Sequence, residues 1–254
     1  MMSTISLQRY FIKLSFDGSK LHGWQIQQNA NSVQAELTNA INVLLKTEVE
    51  ITGCGRTDTG VHAKIFLAHF ESTIIDDIDT LVHRLNAILP FEIAVQNIFA
   101  VSNDIHARFT AIARTYEYHV IRKKDPFLIG KAWYNINFPE LDKLNQFVDL
   151  LLEYEDFTSF SKLNTQTYTN NCKIFSAKWT ELYDGHLVFT IRADRFLRNM
   201  VRAIVGTLLM AAEKNLIETQ FREILESKNR SNAGFSVPAH GLYLTNVEYP
   251  FPIK

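Results

Sequence analysis

Two kinds of apolar spacing alternate along this chain of 254 residues, and their order restricts the fold more than any single residue does. Tyr10, Ile12, Leu14 and Phe16 recur at every second position, as one face of a β-strand requires, and Tyr116, Tyr118 and Val120 do the same further on. Strands are also predicted over Lys64–Phe70, Ile93–Val101, Lys173–Leu182, His186–Ile191 and Leu242–Tyr249. Helical periods lie between them. Asn31 with Gln34 resembles a capping box, opening a helix that buries Val33, Leu37, Ile41 and Leu44. Leu81, Leu85 and Ile88 predict a second helix, which Pro90 ends; Leu144, Phe147, Val148, Leu151 and Leu152 predict a third, and Phe221, Ile224 and Leu225 a short last one. The most periodic segment is Phe196–Lys214, with Leu197, Met200, Val201, Ile204, Leu208 and Leu209 in one stripe. On a helix over that whole span Arg198 and Arg202 share a face. Gly206 within it costs about 1 kcal/mol relative to alanine, which implies close packing there.

Strands and helices therefore fall into two successive mixed groups, residues 1–104 and 105–254. No Pro/Ser-rich linker, low-complexity tract or internal sequence repeat separates them, so two closely joined α+β halves are expected. The stretch Lys162–Asn171 is polar and shows no period. Apolar residues make up 46%, a globular composition. No apolar run approaches the roughly 18 residues needed to cross a bilayer, and Met1–Arg9 lacks the regions of a signal peptide. A cytoplasmic protein is expected. Cys54 and Cys172 are too few and too far apart for a disulfide framework, and no paired Cys/His spacing suggests zinc, so both thiols are expected reduced.

The net charge of −1 argues neither for nor against a nucleic-acid partner; the distribution says more. Acidic residues crowd Asp76, Asp77 and Asp79 and then Asp149, Glu153, Glu155 and Asp156. Arg108, Arg114, Arg122, Lys123 and Lys124, then Arg192, Arg195, Arg198 and Arg202, form basic segments. Such segregation permits one positive face that docks a polyanion in a salt-dependent way, or simply a solvated basic surface.

Chemistry concentrates in Gly53-Cys54-Gly55-Arg56-Thr57-Asp58-Thr59-Gly60-Val61-His62-Ala63, where one acidic residue sits in a glycine-bracketed turn. Glycines permit unusual backbone angles and a ligand's close approach, and a guanidinium such as Arg56 near Asp58 favours the ionised carboxylate. In a shaped pocket Asp58 can be a nucleophile or a base; in a surface turn it does nothing chemical.

The whole eleven-residue run resembles the active-site signature of the tRNA pseudouridine synthase A family. Four further blocks match in order. They are Phe16-Asp17-Gly18-Ser19 with Gly23-Trp24-Gln25-Ile26-Gln27 and Ser32-Val33-Gln34; His106-Ala107-Arg108-Phe109 with Ala113-Arg114-Thr115-Tyr116-Glu117-Tyr118; Phe196-Leu197-Arg198-Asn199-Met200-Val201-Arg202 with Val205-Gly206; and Pro238-Ala239-His240-Gly241-Leu242-Tyr243-Leu244.

The resemblance implies an α+β fold of two ferredoxin-like halves sharing a central, mainly antiparallel sheet, in a homodimer. It implies isomerisation of uridine to pseudouridine in the anticodon stem-loop of tRNA, at about positions 38, 39 and 40, on a flipped-out nucleotide. Asp58 is then the catalytic carboxylate, and Arg202 pairs with it and orients it. Tyr116 stacks on the target base, Leu242 packs against it, and Arg56 enters the stem to help extrude the nucleotide. The reaction gains and loses no atoms, so it calls for no cofactor and no metal. Whether the carboxylate adds to the base, captures the sugar or removes the C2′ proton stays open.

Other chemistries read less well from the residues. Cys54 as a nucleophile at uridine C6 would need a methyl-donor site, and no Gly-rich loop after a strand supplies one. An aspartyl-phosphate hydrolase would need a second Asp where Gly60 stands. His62 and His69, seven apart on a strand, fall on opposite faces and make no metal pair. A tRNA-binding protein without catalysis has the same composition and differs only at Asp58, Tyr116 and Arg202.

Overall fold

The protein is described by a computed structural model over residues 7–161 and 168–253; most of the polar stretch Lys162–Asn171, and the start of Met1–Arg9, lie outside the described residues. The chain forms two compact units. One runs through Ile112 and takes in the C-terminal segment from Leu244, and the other is Ala113–Tyr243.

The first unit contains β1 (Gln8–Phe16), α1 (Val33–Leu45), β2 (Thr52–Gly53), β3 (His62–Ser72), α2 (Ile78–Ile88) and β4 (Ile93–Val101). β1 pairs antiparallel with both β3 and β4, and β2 pairs antiparallel with β3. The order β4-β1-β3-β2 in a βαββαβ chain is the ferredoxin-like arrangement. Tyr10, Ile12, Leu14 and Phe16 are buried as their alternation requires, but so is Phe11, with Phe99, Tyr249 and Phe251 at centroid distances of 5.8, 5.3 and 6.3 Å. Both faces of β1 are therefore covered.

Two helix details differ from expectation. The N-cap of α1 is Ser32 rather than Asn31, its hydroxyl accepting from the Ala35 N–H at 3.4 Å. Gln34 is drawn away from any cap, accepting from Ile26 N–H at 3.0 Å and donating to Ile51 O at 2.7 Å. Val33, Leu37 and Ile41 are buried and Leu44 only partly so. In α2, Leu81 and Leu85 face the core but Ile88 is exposed. The chain turns extended at Leu89, just before Pro90, and Leu89 is buried instead.

The second unit contains β5 (Ala113–Ile121), β6 (Trp133–Tyr134), α3 (Leu141–Val148), β7 (Ile174–Tyr183), β8 (His186–Ala193), α4 (Met200–Glu213) and α5 (Glu218–Glu226); β9 (Leu242–Glu248) follows. β8 pairs antiparallel with β5 and β7, and β6 pairs parallel with β5. The order β5-β8-β7 repeats β1-β3-β2 of the first unit, so the same topology occurs twice. The α+β, mainly antiparallel class expected from sequence is the one observed. α3 buries Leu144, Phe147 and Val148 and continues as a 3-10 turn over Asp149–Glu153, which buries Leu151 and leaves Leu152 exposed. Phe221 and Leu225 anchor α5, with Ile224 half-buried.

The long periodic helix begins later than its pattern implied. Asn199 sits in the left-handed region at φ 66°, so α4 starts at Met200 and Phe196, Leu197 and Arg198 precede it. Arg198 is exposed outside the helix and shares no helical face with Arg202. Apart from Arg202 and Met210, the residues from Met200 to Ala212 are buried, which makes α4 a central helix rather than a one-striped surface one. Gly206 fulfils its expected role: a Cβ there would lie 1.8 Å from Phe235 O, and one on Gly234 would lie 2.3 Å from Gly206 O.

A buried histidine fixes the segment after β4 and makes the fold pH-sensitive. His69 accepts the Ala107 N–H at Nδ1 (3.1 Å), and Tyr249 donates its hydroxyl to Ala107 O (2.5 Å). Burial, with the nearby His106 and the charge of Arg9, pushes His69 down to about 4 from 6.5. The unfolded chain thus gains a proton below pH 6.5 that the folded chain resists until about pH 4. Stability from this group is full above that window and declines through it by up to about 3 kcal/mol. Denaturant unfolding between pH 7 and 4 should show this slope, and His69→Gln, which keeps an acceptor but does not titrate, should flatten it.

Among the described residues no helix is long and apolar enough to cross a membrane. Cys54 and Cys172 are buried, and among the described residues neither is in a disulfide.

Candidate active site

Asp58 stands in the turn between β2 and β3. As the chain leaves β2 the Cys54 N–H donates to Leu67 O at 2.7 Å, and at the far end the Val61 N–H donates to Asp58 O at 3.1 Å. Gly60, with φ 81°, supplies the left-handed residue this turn needs. The other two glycines of the run serve differently. A Cβ on Gly53 would meet the Trp24 ring at 2.6 Å, whereas at Gly55 the space is open.

The segment after β1 forms the other wall of the turn. A Cβ on Gly18 would lie 2.1 Å from Val61 O, and one on Gly23 2.3 Å from Thr57 O and 3.1 Å from the Asp58 carbonyl carbon. Leu21 O accepts from the Gly60 N–H (3.3 Å), and the Trp24 N–H donates to Thr57 O (3.4 Å). Trp24 is itself stacked on Phe66 at 4.2 Å. His62 Nδ1 lies 3.1 Å from the Gly18 nitrogen and 3.0 Å from Asp17 Oδ1, so this buried ring ties the segment after β1 to the start of β3. The carboxylate is therefore carried on a backbone clamped from two sides, half-buried, with Arg56 and Thr59 exposed beside it. A reacting group held this way needs little reorganisation when a substrate arrives. In the sequence Gly18 and Gly23 stood out only as members of the opening block quoted above.

Gly23→Ala tests the clamp. At φ 81° a side chain is strained, and its Cβ would displace the Thr57 carbonyl beside Asp58. A stability loss of about 1–3 kcal/mol is expected, with a larger loss of turnover. Calorimetry beside a turnover assay separates the two effects.

In the second unit, Tyr116 lies on β5 opposite Ile191, half-buried, its ring edge-on to Phe196 at 5.1 Å and 85°. Tyr118, on the same face, is a core residue as expected: it is fully buried and donates its hydroxyl to Pro238 O at 2.9 Å. Burial pushes its phenol well up, against the opposing charge of Arg202, so it stays protonated. Arg202 belongs to the first turn of α4 and is half-buried rather than a surface arginine. Its Nε donates to Val237 O at 2.7 Å, and the Val237 N–H returns to Arg202 O at 3.3 Å. This double link fixes the direction of the guanidinium, and nothing in the helical period announced Val237 as the anchor. Burial and the Arg202 charge both lower the pKa of His240. Leu242, at the start of β9, is buried, and its N–H caps the preceding turn through Ala239 O.

The register of β5 with β8 sets Arg114 opposite Ala193, beside Arg192, so the two basic segments of this unit meet at one end of β5. Arg114 and Arg122 stand at opposite ends of β5, roughly 27 Å apart at about 3.4 Å per residue. Arg114 donates to Asp194 O (2.8 Å), Arg122 to Phe138 O (3.1 Å) and Pro139 O (2.5 Å), and Lys123 pairs with Asp184.

Sequence comparisons bear on what these residues serve. The profile of a family described as tRNA pseudouridine synthase matches residues 153–250. The tRNA pseudouridine synthase A of Bacteroides thetaiotaomicron is 48% identical over 246 residues, covering 96% of this chain and 91% of its own. The Bacteroides fragilis protein of the same name is 48% identical over 248 residues, covering 97% and 98%. The chain belongs to the tRNA pseudouridine synthase A family. A more distant relative, the tRNA pseudouridine synthase A of Bacillus subtilis, is 35% identical over 240 residues, with 93% and 97% covered. Membership makes the chain a pseudouridine synthase, an isomerase, and sets aside the methyltransferase and phosphohydrolase readings. Cys54, 1% exposed, is packed as a small apolar residue. His62 and His69 each accept a backbone N–H, and among the described residues no three His, Cys, Asp or Glu side chains gather as a metal cluster.

Proposed function

We propose that the protein isomerises uridine to pseudouridine in the anticodon stem-loop of tRNA, at about positions 38, 39 and 40, with Asp58 as the essential carboxylate acting on a flipped-out nucleotide. The observation that carries this reading is the clamped turn that holds a half-buried Asp58 within a family of tRNA pseudouridine synthases. The N1–C1′ bond breaks, the base turns, C5–C1′ forms, and the proton lost from C5 is balanced by one gained at N1. Each route needs a carboxylate beside C1′ and C6 and proton transfer at C2′ or C5, and no cofactor enters the balance.

The other residues keep the roles their family positions suggest. Tyr116 stacks on the target base and Leu242 packs against it, Arg202 serves the carboxylate, and the exposed Arg56 helps extrude the nucleotide. Substrate grip rests on phosphate and 2′-hydroxyl contacts, as for other A-form RNA. The enzyme works in the cytoplasm, where tRNA is, and as a homodimer; light scattering showing a monomer at micromolar concentration would remove the dimer from this reading.

The test is to incubate the wild-type protein with unmodified tRNA bearing uridines in the anticodon arm and to map pseudouridine by position. Product confined to those uridines supports the proposal. Product elsewhere in the tRNA would keep the chemistry and overturn the site, and no product from a folded protein that binds tRNA would favour a binding protein.

A further inference from the structure

We propose that Phe109, backed by His106 and Arg108, is a stacking platform for a base of the RNA substrate other than the reacting uridine. The inference rests on the tRNA reading above and concerns a residue to which that reading gives no role. Phe109 is 76% exposed; single exposed apolar rings are common, and what sets this one apart is that an imidazole and a guanidinium are packed against it.

The ring is held outward by a rigid turn. His106 Nδ1 accepts from the Arg108 N–H at 3.0 Å and the Phe109 N–H at 3.2 Å, and the two ends of the turn are joined by His106 N–H to Thr110 Oγ1 (2.9 Å) and Thr110 N–H to His106 O (3.0 Å). Between them Ala107 is fixed through both its N–H, to His69, and its carbonyl, from Tyr249. With the backbone held on both sides, the turn presents the phenyl ring at the surface against the His106 imidazole.

The neighbours of the ring are those that suit a nucleobase. The His106 imidazole lies 4.4 Å from it, tilted 33°, and the Arg108 guanidinium lies 5.5 Å from its centroid. Burial and the charges of Arg9 and Arg108 lower the pKa of His106, consistent with its role as a neutral acceptor. Aromatic and guanidinium planes stack on bases without sequence preference, and every base offers a π-face.

Position keeps the platform away from the Asp58 turn. Ala107 hangs from His69, which lies along β3 roughly 24 Å from His62 at about 3.4 Å per residue, and the Asp58 turn runs directly into His62. The platform therefore meets a nucleotide remote from the one being isomerised, and it should act on affinity and KM rather than on kcat.

The experiment compares wild type with Phe109→Leu, which keeps apolar bulk but has no π-face, and Phe109→Trp, which enlarges it. Kd for unmodified tRNA, kcat, KM and melting temperature are measured for each. The leucine variant should bind roughly 5- to 100-fold more weakly, with KM raised in step, kcat within about twofold and an unchanged melting temperature; the tryptophan variant should bind at least as well as wild type. Because stacking is not ionic, the dependence of log Kd on log salt should keep the wild-type slope in Phe109→Leu. Equal binding by all three proteins, equal weakening in both variants, or a loss confined to kcat would overturn the proposal. A wild type that neither binds nor modifies tRNA would overturn the underlying functional reading instead.

Discussion

Asp58→Asn is expected to lower pseudouridine formation at saturating tRNA by at least about a thousandfold while changing tRNA affinity no more than about twofold. The substitution keeps the size and planarity of the side chain and removes its charge and basicity. The turn that carries it is fixed by main-chain links to Leu21, Trp24 and Leu67 and by the close approaches of Gly18 and Gly23, none of which involves the carboxylate. The backbone should therefore stay in place when the side chain changes. Single-turnover assays at saturating enzyme give the chemical step, and equilibrium binding gives the affinity. Retained turnover in the asparagine variant would remove Asp58 from the mechanism. Equal loss of turnover and binding, with a lowered melting temperature, would make it a structural residue of the turn.

The second large effect is on stability. In an ordinary helix Gly→Ala gains up to about 1 kcal/mol, so Gly206→Ala would be expected to stabilise α4 if helix propensity decided the outcome. The added methyl would instead lie 1.8 Å from Phe235 O, a contact that no rotamer can relieve because the obstacle is main chain. The neighbouring stretch of chain must move, and it has little freedom to do so: a Cβ on Gly234 would itself lie 2.3 Å from Gly206 O, and the Gly234 N–H donates to Thr207 Oγ1 at 2.9 Å. The clash should outweigh the propensity gain, for a net loss of at least about 3 kcal/mol, or roughly 6–12 °C in melting temperature. Val237 lies two residues beyond Phe235 and holds Arg202, so the same substitution should also disturb that guanidinium. A variant as stable as wild type would show that the 234–237 segment yields freely.

What could be read in advance follows from which interactions are local. The longer strands were legible because β1 and β5 alternate apolar positions and because β3, β4, β7, β8 and β9 are seven to eleven residues long, whereas β2 and β6, two residues each, have no room for a period. The start of α4 was misjudged because Leu197 is buried in phase with the helix that follows; what breaks the helix is the left-handed Asn199, a choice set by tertiary contacts such as its amide on Ser236 Oγ. The repeated strand order left no trace in sequence because each half fills its core with different side chains. At the site, Asp58 stood out by chemistry, but the glycines that position it act on carbonyls far away in sequence. Gly23 against Thr57 and Gly206 against Phe235 are contacts no spacing rule encodes. The Val237 anchor of Arg202 is of the same kind.

The two buried thiols have a practical corollary. Cys54 and Cys172 are 1% and 2% exposed, and burial pushes the Cys172 thiol up to about 12, so little reactive thiolate is presented at neutral pH. Towards maleimides the folded protein should behave almost as if it had no cysteine. One new cysteine at an exposed position, Arg56 or Phe109 for example, would then take a fluorophore or spin label at a single address without first stripping the native residues from the core. Labels placed in turn at those two sites would convert the path of an RNA across the first unit into a set of measurable distances.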